Sequence, residues 1–158
     1  MIRVLHVDDE APIRLLVRVN LEAEGMEVIE AANGRTGVQL AKREQPDLIL
    51  LGVMMPVLDG WHAAEELLKD QETLEIPIVF LTAQNRLKDR ARGFHFGAIE
   101  YILKPFNPTD LAPCIRGLME RLERGEREEL RLEKISELHA LRDAGVPWDQ
   151  YLLPDQSV

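Results

Sequence analysis

A chain of 158 residues that is 46% hydrophobic, with only 9 prolines and 10 glycines, is about one domain long and can bury a core, which excludes wholesale disorder and collagen-like composition. Nineteen Lys and Arg against 28 Asp and Glu give a formal net charge of -9, a balance that repels phosphate backbones and anionic lipid, so no direct nucleic-acid binding and no membrane contact is expected. Cys114 has no partner for a disulfide, the start carries no charged and then apolar leader, and no stretch nears the roughly 18 apolar residues of a membrane span, so a cytoplasmic location is expected.

Short apolar runs alternate with longer amphipathic ones along the chain. Ile2 to Val7 reads as a buried strand, and Pro12 to Glu24 as a helix with Ile13, Leu16, Val17 and Leu21 on one face, closed by Gly25. Met26 to Ala31 is a second strand, Asn33 to Glu44 a second helix ended by Pro46, and Asp47 to Leu51 a third strand. Leu58 to Lys69, Ile76 to Leu81, Leu87 to Phe96 and Ala98 to Leu103 continue the alternation, and a last helix opens with Asn107 as cap and Pro108 in its first turn. Five strands apolar on both faces, each followed by a helix, predict an α/β fold: a doubly wound five-stranded parallel sheet, flavodoxin-like. Ligands of such sheets sit beyond the carboxyl ends of the strands.

Those ends are polar. The first strand ends in Asp8-Asp9-Glu10, the fourth in Thr82-Ala83 and the fifth in Lys104-Pro105-Phe106. Taken singly, these read as a helix cap, another cap and a turn. Taken together, adjacent carboxylates suit a hard cation with oxygen ligands such as Mg2+, while a hydroxyl and an ammonium suit the oxygens of a phosphoryl group.

From Ile2 to about Met119 the chain resembles the receiver domain of bacterial two-component response regulators. The resemblance rests on Val7-Asp8-Asp9-Glu10, Pro46-Asp47-Leu48-Ile49-Leu50-Leu51, Met54-Met55-Pro56 with Asp59-Gly60, Leu81-Thr82-Ala83 and Lys104-Pro105-Phe106. It implies a Mg2+ site on Asp8, Asp9 and the Met54 backbone carbonyl, phosphoryl contacts from Thr82 and Lys104, Tyr101 as an aromatic switch, and a cis Lys104-Pro105 bond. It also implies a sensor histidine kinase or phosphotransfer protein as one partner and a downstream protein target as another.

The departure from the family lies after the third strand. Where receivers carry the phosphoacceptor Asp, this chain has Gly52, which offers no carboxylate to attack a phosphoryl group. Asp47 lies at the strand's other end, Asp59 belongs to the turn opening the next helix, and Asp8 or Asp9 would have to leave the metal. A glycine easing a tight turn is the bland reading of Gly52. Two explanations of a lost acceptor stay open: an Asp-to-Gly change in an ordinary receiver, with Mg2+ binding weakened, or a natural pseudo-receiver serving as a phosphate-independent adaptor or dimerisation protein.

Other chemistries find less support. His6 is interior to a strand, His62, His95 and His139 have no ligand spacing, and no Gly-rich nucleotide cradle or Asp-x-Asp phosphatase motif occurs. No enzymatic activity is expected. The receiver is expected to end near residue 122, with residues 123–158 a helical extension and apolar tail. From Glu120 to Ala144, 14 of 25 residues are charged, and a helix running towards Asp143 would break at Gly125. Leu130, Ile135, Leu138 and Leu141 form an apolar side, and Trp148, Tyr151, Leu152 and Leu153 follow it. This extension predicts either a homodimer built through its leucines or a fold-back onto its own domain. The chain thus reads as a stand-alone receiver acting through protein contacts, on a face built from the fourth helix, fifth strand and fifth helix.

Overall fold

The computed structural model describes residues 1–147 and residue 149. Five strands, β1 (Arg3–Val7), β2 (Glu27–Ala31), β3 (Leu48–Leu51), β4 (Ile78–Thr82) and β5 (Glu100–Leu103), form one parallel sheet in the order β2-β1-β3-β4-β5. Helices α1 (Ala11–Ala23), α2 (Gly34–Glu44), α3 (Gly60–Lys69), α4 (Leu87–His95) and α5 (Pro108–Glu123) alternate with them, and α6 (Arg127–Asp143) follows. This is the predicted doubly wound fold with a helical extension.

The period of two along each strand builds two cores. Leu5, Val7, Ile49, Leu51, Ile78 and Phe80 face one side, packed by α2, α3 and α4, while Val4, Leu48, Leu50, Val79 and Leu81 face the other, packed by α1 and α5. Every residue of β3 and β4 is buried. The fourth strand begins two residues later than expected because Ile76 closes the turn after α3, its N–H on the Thr73 carbonyl, and Pro77 has no N–H for a ladder; the Pro77 carbonyl still accepts from Ile49 at 2.9 Å.

Local signals place the helices. The Asn33 side chain accepts from the Thr36 N–H at the start of α2, Asp59 from the His62 N–H at the start of α3, and Asn107 from the Thr109 N–H at the start of α5. Gly60 is required by proximity, because a Cβ there would collide with the carbonyl oxygen of Gly52. Gly125, with φ of 77°, separates α5 from α6 where the sequence predicts the break.

Helix α6 is not a solvated rod. It packs on α4 and touches α5, burying Leu138 in the first core and Leu130 in the second, with Ile135 and Leu141 against the first. Each buried leucine contributes about 2 kcal/mol of transfer free energy. The leucines expected to pair with a second copy are thus covered by the chain's own domain, as in the fold-back alternative. Trp148, Tyr151, Leu152 and Leu153 lie outside the described residues.

Candidate functional site

The carboxyl ends of β1, β3, β4 and β5 converge on a small cleft of about 80 Å³, lined by Asp8, Asp9, Glu10, Gly52, Met54, Thr82 and Lys104 among others. Six of the seven residues predicted for the site meet there. The seventh, Tyr101, lies behind it.

Asp8 is the centre of the polar contacts. Its side chain is buried at the end of β1, and Lys104 Nζ reaches across from β5 to its Oδ2 at 2.8 Å, and to Glu10 Oε2 at 3.4 Å. The Glu10 N–H donates to Asp8 Oδ1 at 2.9 Å, and the Arg14 guanidinium donates to the Asp8 carbonyl oxygen at 2.7 Å. His6, two residues earlier on the same strand face and fully buried, places Nε2 3.7 Å from Asp8 Oδ2. Burial raises the Asp8 pKa, but His6, Lys104 and the Glu10 N–H outweigh it and hold the carboxyl down at about 2. Asp8 and Lys104 are therefore an ion pair at neutral pH. Asp9, at the cleft's edge, is exposed.

Gly52 follows β3 directly, and its N–H donates to the Val7 carbonyl at 2.8 Å. It is not among the positive-φ residues, so its backbone does not demand glycine. A Cβ there would meet the Val7 carbonyl oxygen at 3.2 Å and Met55 Sδ at 3.6 Å, so it would need the Val7 backbone to give by a few tenths of an ångström. With no positive φ at Gly52, the backbone angle gives no support to the reading of a turn-easing glycine. The Met54 side chain is 70% exposed beside the cleft.

Thr82 is buried, and its Oγ1 accepts from the Gln84 N–H at 3.2 Å. Tyr101 points inward, with its ring near Phe80, Phe94 and the Arg90 guanidinium, and its hydroxyl donates to the Gln84 carbonyl at 2.5 Å. Burial raises the Tyr101 pKa far above the ordinary phenol range. The Lys104-Pro105 bond is cis, as the resemblance implies. Sequence reasoning missed three participants. His6 and Glu10 carried a legible signal, the first as a polar residue at period two from Asp8 and the second as a third acid in the run. The Gln84 carbonyl had none, because backbone acceptors leave no mark in a sequence.

The residues as arranged do not fit the Mg2+ that the resemblance implies. Both Asp8 oxygens already have donors, Asp9 is exposed at the cleft's edge, and Gly52 supplies no side-chain ligand. Among the described residues no group of three or more His, Cys, Asp or Glu side chains is arranged to hold a metal. Nor is any described helix long and apolar enough to cross a membrane.

The response regulator receiver domain family matches residues 4–116. The chain is 40% identical over 124 residues to the DNA-binding dual master transcriptional regulator RpaA of Synechocystis sp., which covers 78% of this chain and 52% of that protein. It is 39% identical over 125 residues to the phosphate regulon transcriptional regulatory protein PhoB of Pseudomonas aeruginosa, covering 79% and 55%. The chain spans about half the length of these relatives. Among solved structures it resembles chemotaxis protein CheY4 of Vibrio cholerae, with a TM-score of 0.69, 33% identity and coverage of 73% and 97%. A CheY-like receiver domain protein from Methanospirillum hungatei gives a TM-score of 0.73 at 29% identity, covering 79% and 98%. These relatives correct one expectation. Net charge led to the exclusion of direct nucleic-acid contact, yet relatives at this identity are named as DNA-binding and transcriptional regulators, and a charge sum over one chain reports solubility and non-specific attraction rather than the business of a family. The matched span, the sheet order and the cleft at the strand ends together make this chain a member of the response regulator receiver domain family of two-component signalling.

Proposed function

We propose that Gly52 stands at the phosphoacceptor position, so that this receiver forms no aspartyl phosphate and works through protein contacts without enzymatic activity of its own. The observation that carries the reading is a cleft whose Lys104 and Thr82 are in place while the residue after β3 has no side chain. Control of transcription, the role named for its curated relatives, is the output we carry over to it.

Incubation with acetyl phosphate and Mg2+ followed by intact-mass measurement tests this. No phosphoryl adduct is expected on the chain, and Gly52→Asp is expected to acquire one. An adduct on the unaltered chain overturns the assignment. The ordinary backbone at Gly52, with no positive φ, favours the chain as a variant of an ordinary receiver. The Lys104–Asp8 pair, which leaves the ammonium already neutralised, favours a phosphate-independent adaptor. An adduct on Gly52→Asp supports the former, and a Gly52→Asp form that stays unmodified supports the latter.

A further inference from the structure

Helix α6 packs on α4, yet a groove of about 290 Å³ stays open between them. That volume lies at the lower edge of the roughly 300–1,000 Å³ of small-molecule sites. No residue lines both this groove and the cleft at the strand ends.

The groove has apolar walls and a basic rim. Ala91 and Phe94 stand on its α4 side and Ile135 and Leu138 on its α6 side, while its polar groups are Arg131, His95 and His139. Among the described residues no Asp or Glu lines it, in a chain with 28 acidic side chains against 19 Lys and Arg. Helix α4 adds Lys88, Arg90 and Arg92 against one acid, Asp89. The groove thus reverses the sign of the chain as a whole, and its charge complements an anion.

Arg131 is held in place with donors to spare. Its Nη2 donates to the Phe94 carbonyl at 3.1 Å and its Nη1 to Glu128 Oε2 at 3.2 Å, while its Nε is buried with no hydrogen-bond partner. The Glu128 side chain is 69% exposed, so water weakens its claim on the guanidinium. His95, the residue after Phe94, is brought to the same end and offers an imidazole N–H. A fixed guanidinium with an unpaired N–H suits a carboxylate, and the walls beside it suit a hydrocarbon. From Arg131 to His139 the α6 wall is about 12 Å long, roughly the extended length of a ten-carbon chain.

We infer that the groove between α4 and α6 is a binding site for a small amphipathic monocarboxylate, with an alkyl chain of about ten carbons between Ala91 and Ile135 and the carboxylate on Arg131. The inference does not depend on what stands at position 52.

Decanoate added to the full chain, followed by calorimetry and by carbon-13 methyl shifts, tests the site. Saturable binding at one site is expected, with the largest shifts at Ala91, Ile135 and Leu138. Arg131→Gln is expected to weaken binding about tenfold or more, through loss of a charge-assisted contact. Ala91→Phe, which fills the groove and leaves Arg131 in place, is expected to weaken it about as much. Decylamine, with the same chain and the opposite charge, is expected to bind at least about tenfold more weakly than decanoate. No saturable binding of decanoate overturns the site, and so does unchanged affinity in Ala91→Phe. Unchanged affinity in Arg131→Gln, or decylamine binding as tightly as decanoate, overturns the carboxylate. Decanoate that binds only by releasing residues 150–158 from protection in hydrogen exchange makes the chain's own tail the occupant and overturns the small-molecule site.

Discussion

At the scale of single residues, Asp8 sets the pH behaviour of the cleft. Its folded pKa is depressed from 3.8 to about 2, so the stabilisation it contributes is complete above the unfolded value and is lost as pH falls through the folded one. The shift corresponds to about 2 kcal/mol at neutral pH, lost between roughly pH 4 and pH 2. Urea unfolding at several pH values is expected to show this loss in the native chain and not in Asp8→Asn. The neutral form would also leave the Lys104 ammonium with only Glu10 Oε2, at 3.4 Å, as an ion-pair partner. Magnesium behaviour follows from the same contacts. A cation entering the cleft must displace Lys104 from Asp8 and finds no carboxylate at Gly52, so calorimetric titration is expected to show affinity at least about tenfold weaker than for Gly52→Asp. Equal affinities would show that Asp8 and Asp9 suffice.

At the scale of elements, two glycines near the C-terminus separate conformational need from accident. Gly117 lies inside α5 with a right-handed backbone and open space where a Cβ would stand, whereas Gly125 has φ of 77° between α5 and α6. Gly117→Ala is expected to raise stability by about 0.5–1 kcal/mol through helix propensity, and Gly125→Ala to lower it by about 1 kcal/mol through the left-handed strain. Shifts of the urea midpoint in opposite directions check both. The sequence placed the break at Gly125 because a glycine in a charged helical run is the weakest link of that run. It could not show that α6 then turns back onto α4, because a leucine stripe reads the same whether its cover is a second copy or the chain's own domain.

At the scale of the whole molecule, α6 joins both cores, Leu138 to one and Leu130 to the other. Truncation after Arg124 would uncover Phe94, Tyr101 and the charged groups beneath α6. Light scattering is expected to show aggregation of the truncated chain at concentrations where the full chain stays dispersed. A soluble, compact truncated form would show that α6 contributes little to the core.

The alternation of strands and helices, the sheet they form and the polar strand ends were legible from sequence because buried parallel strands need apolar residues on both faces and helices announce their caps. Asp8, Thr82 and Lys104 could be placed together because each ends or directly follows a strand of one parallel sheet, and all such ends lie at one edge. That the residue after β3 has no side chain was equally plain. Whether glycine was needed there was decided only by the structure, since the answer depends on a backbone angle and on the distance to the Val7 carbonyl. So was the hold of Lys104 on Asp8, which joins residues 96 positions apart. So too was the seat of α6, because contacts between distant segments depend on how the whole chain folds and no local pattern encodes them.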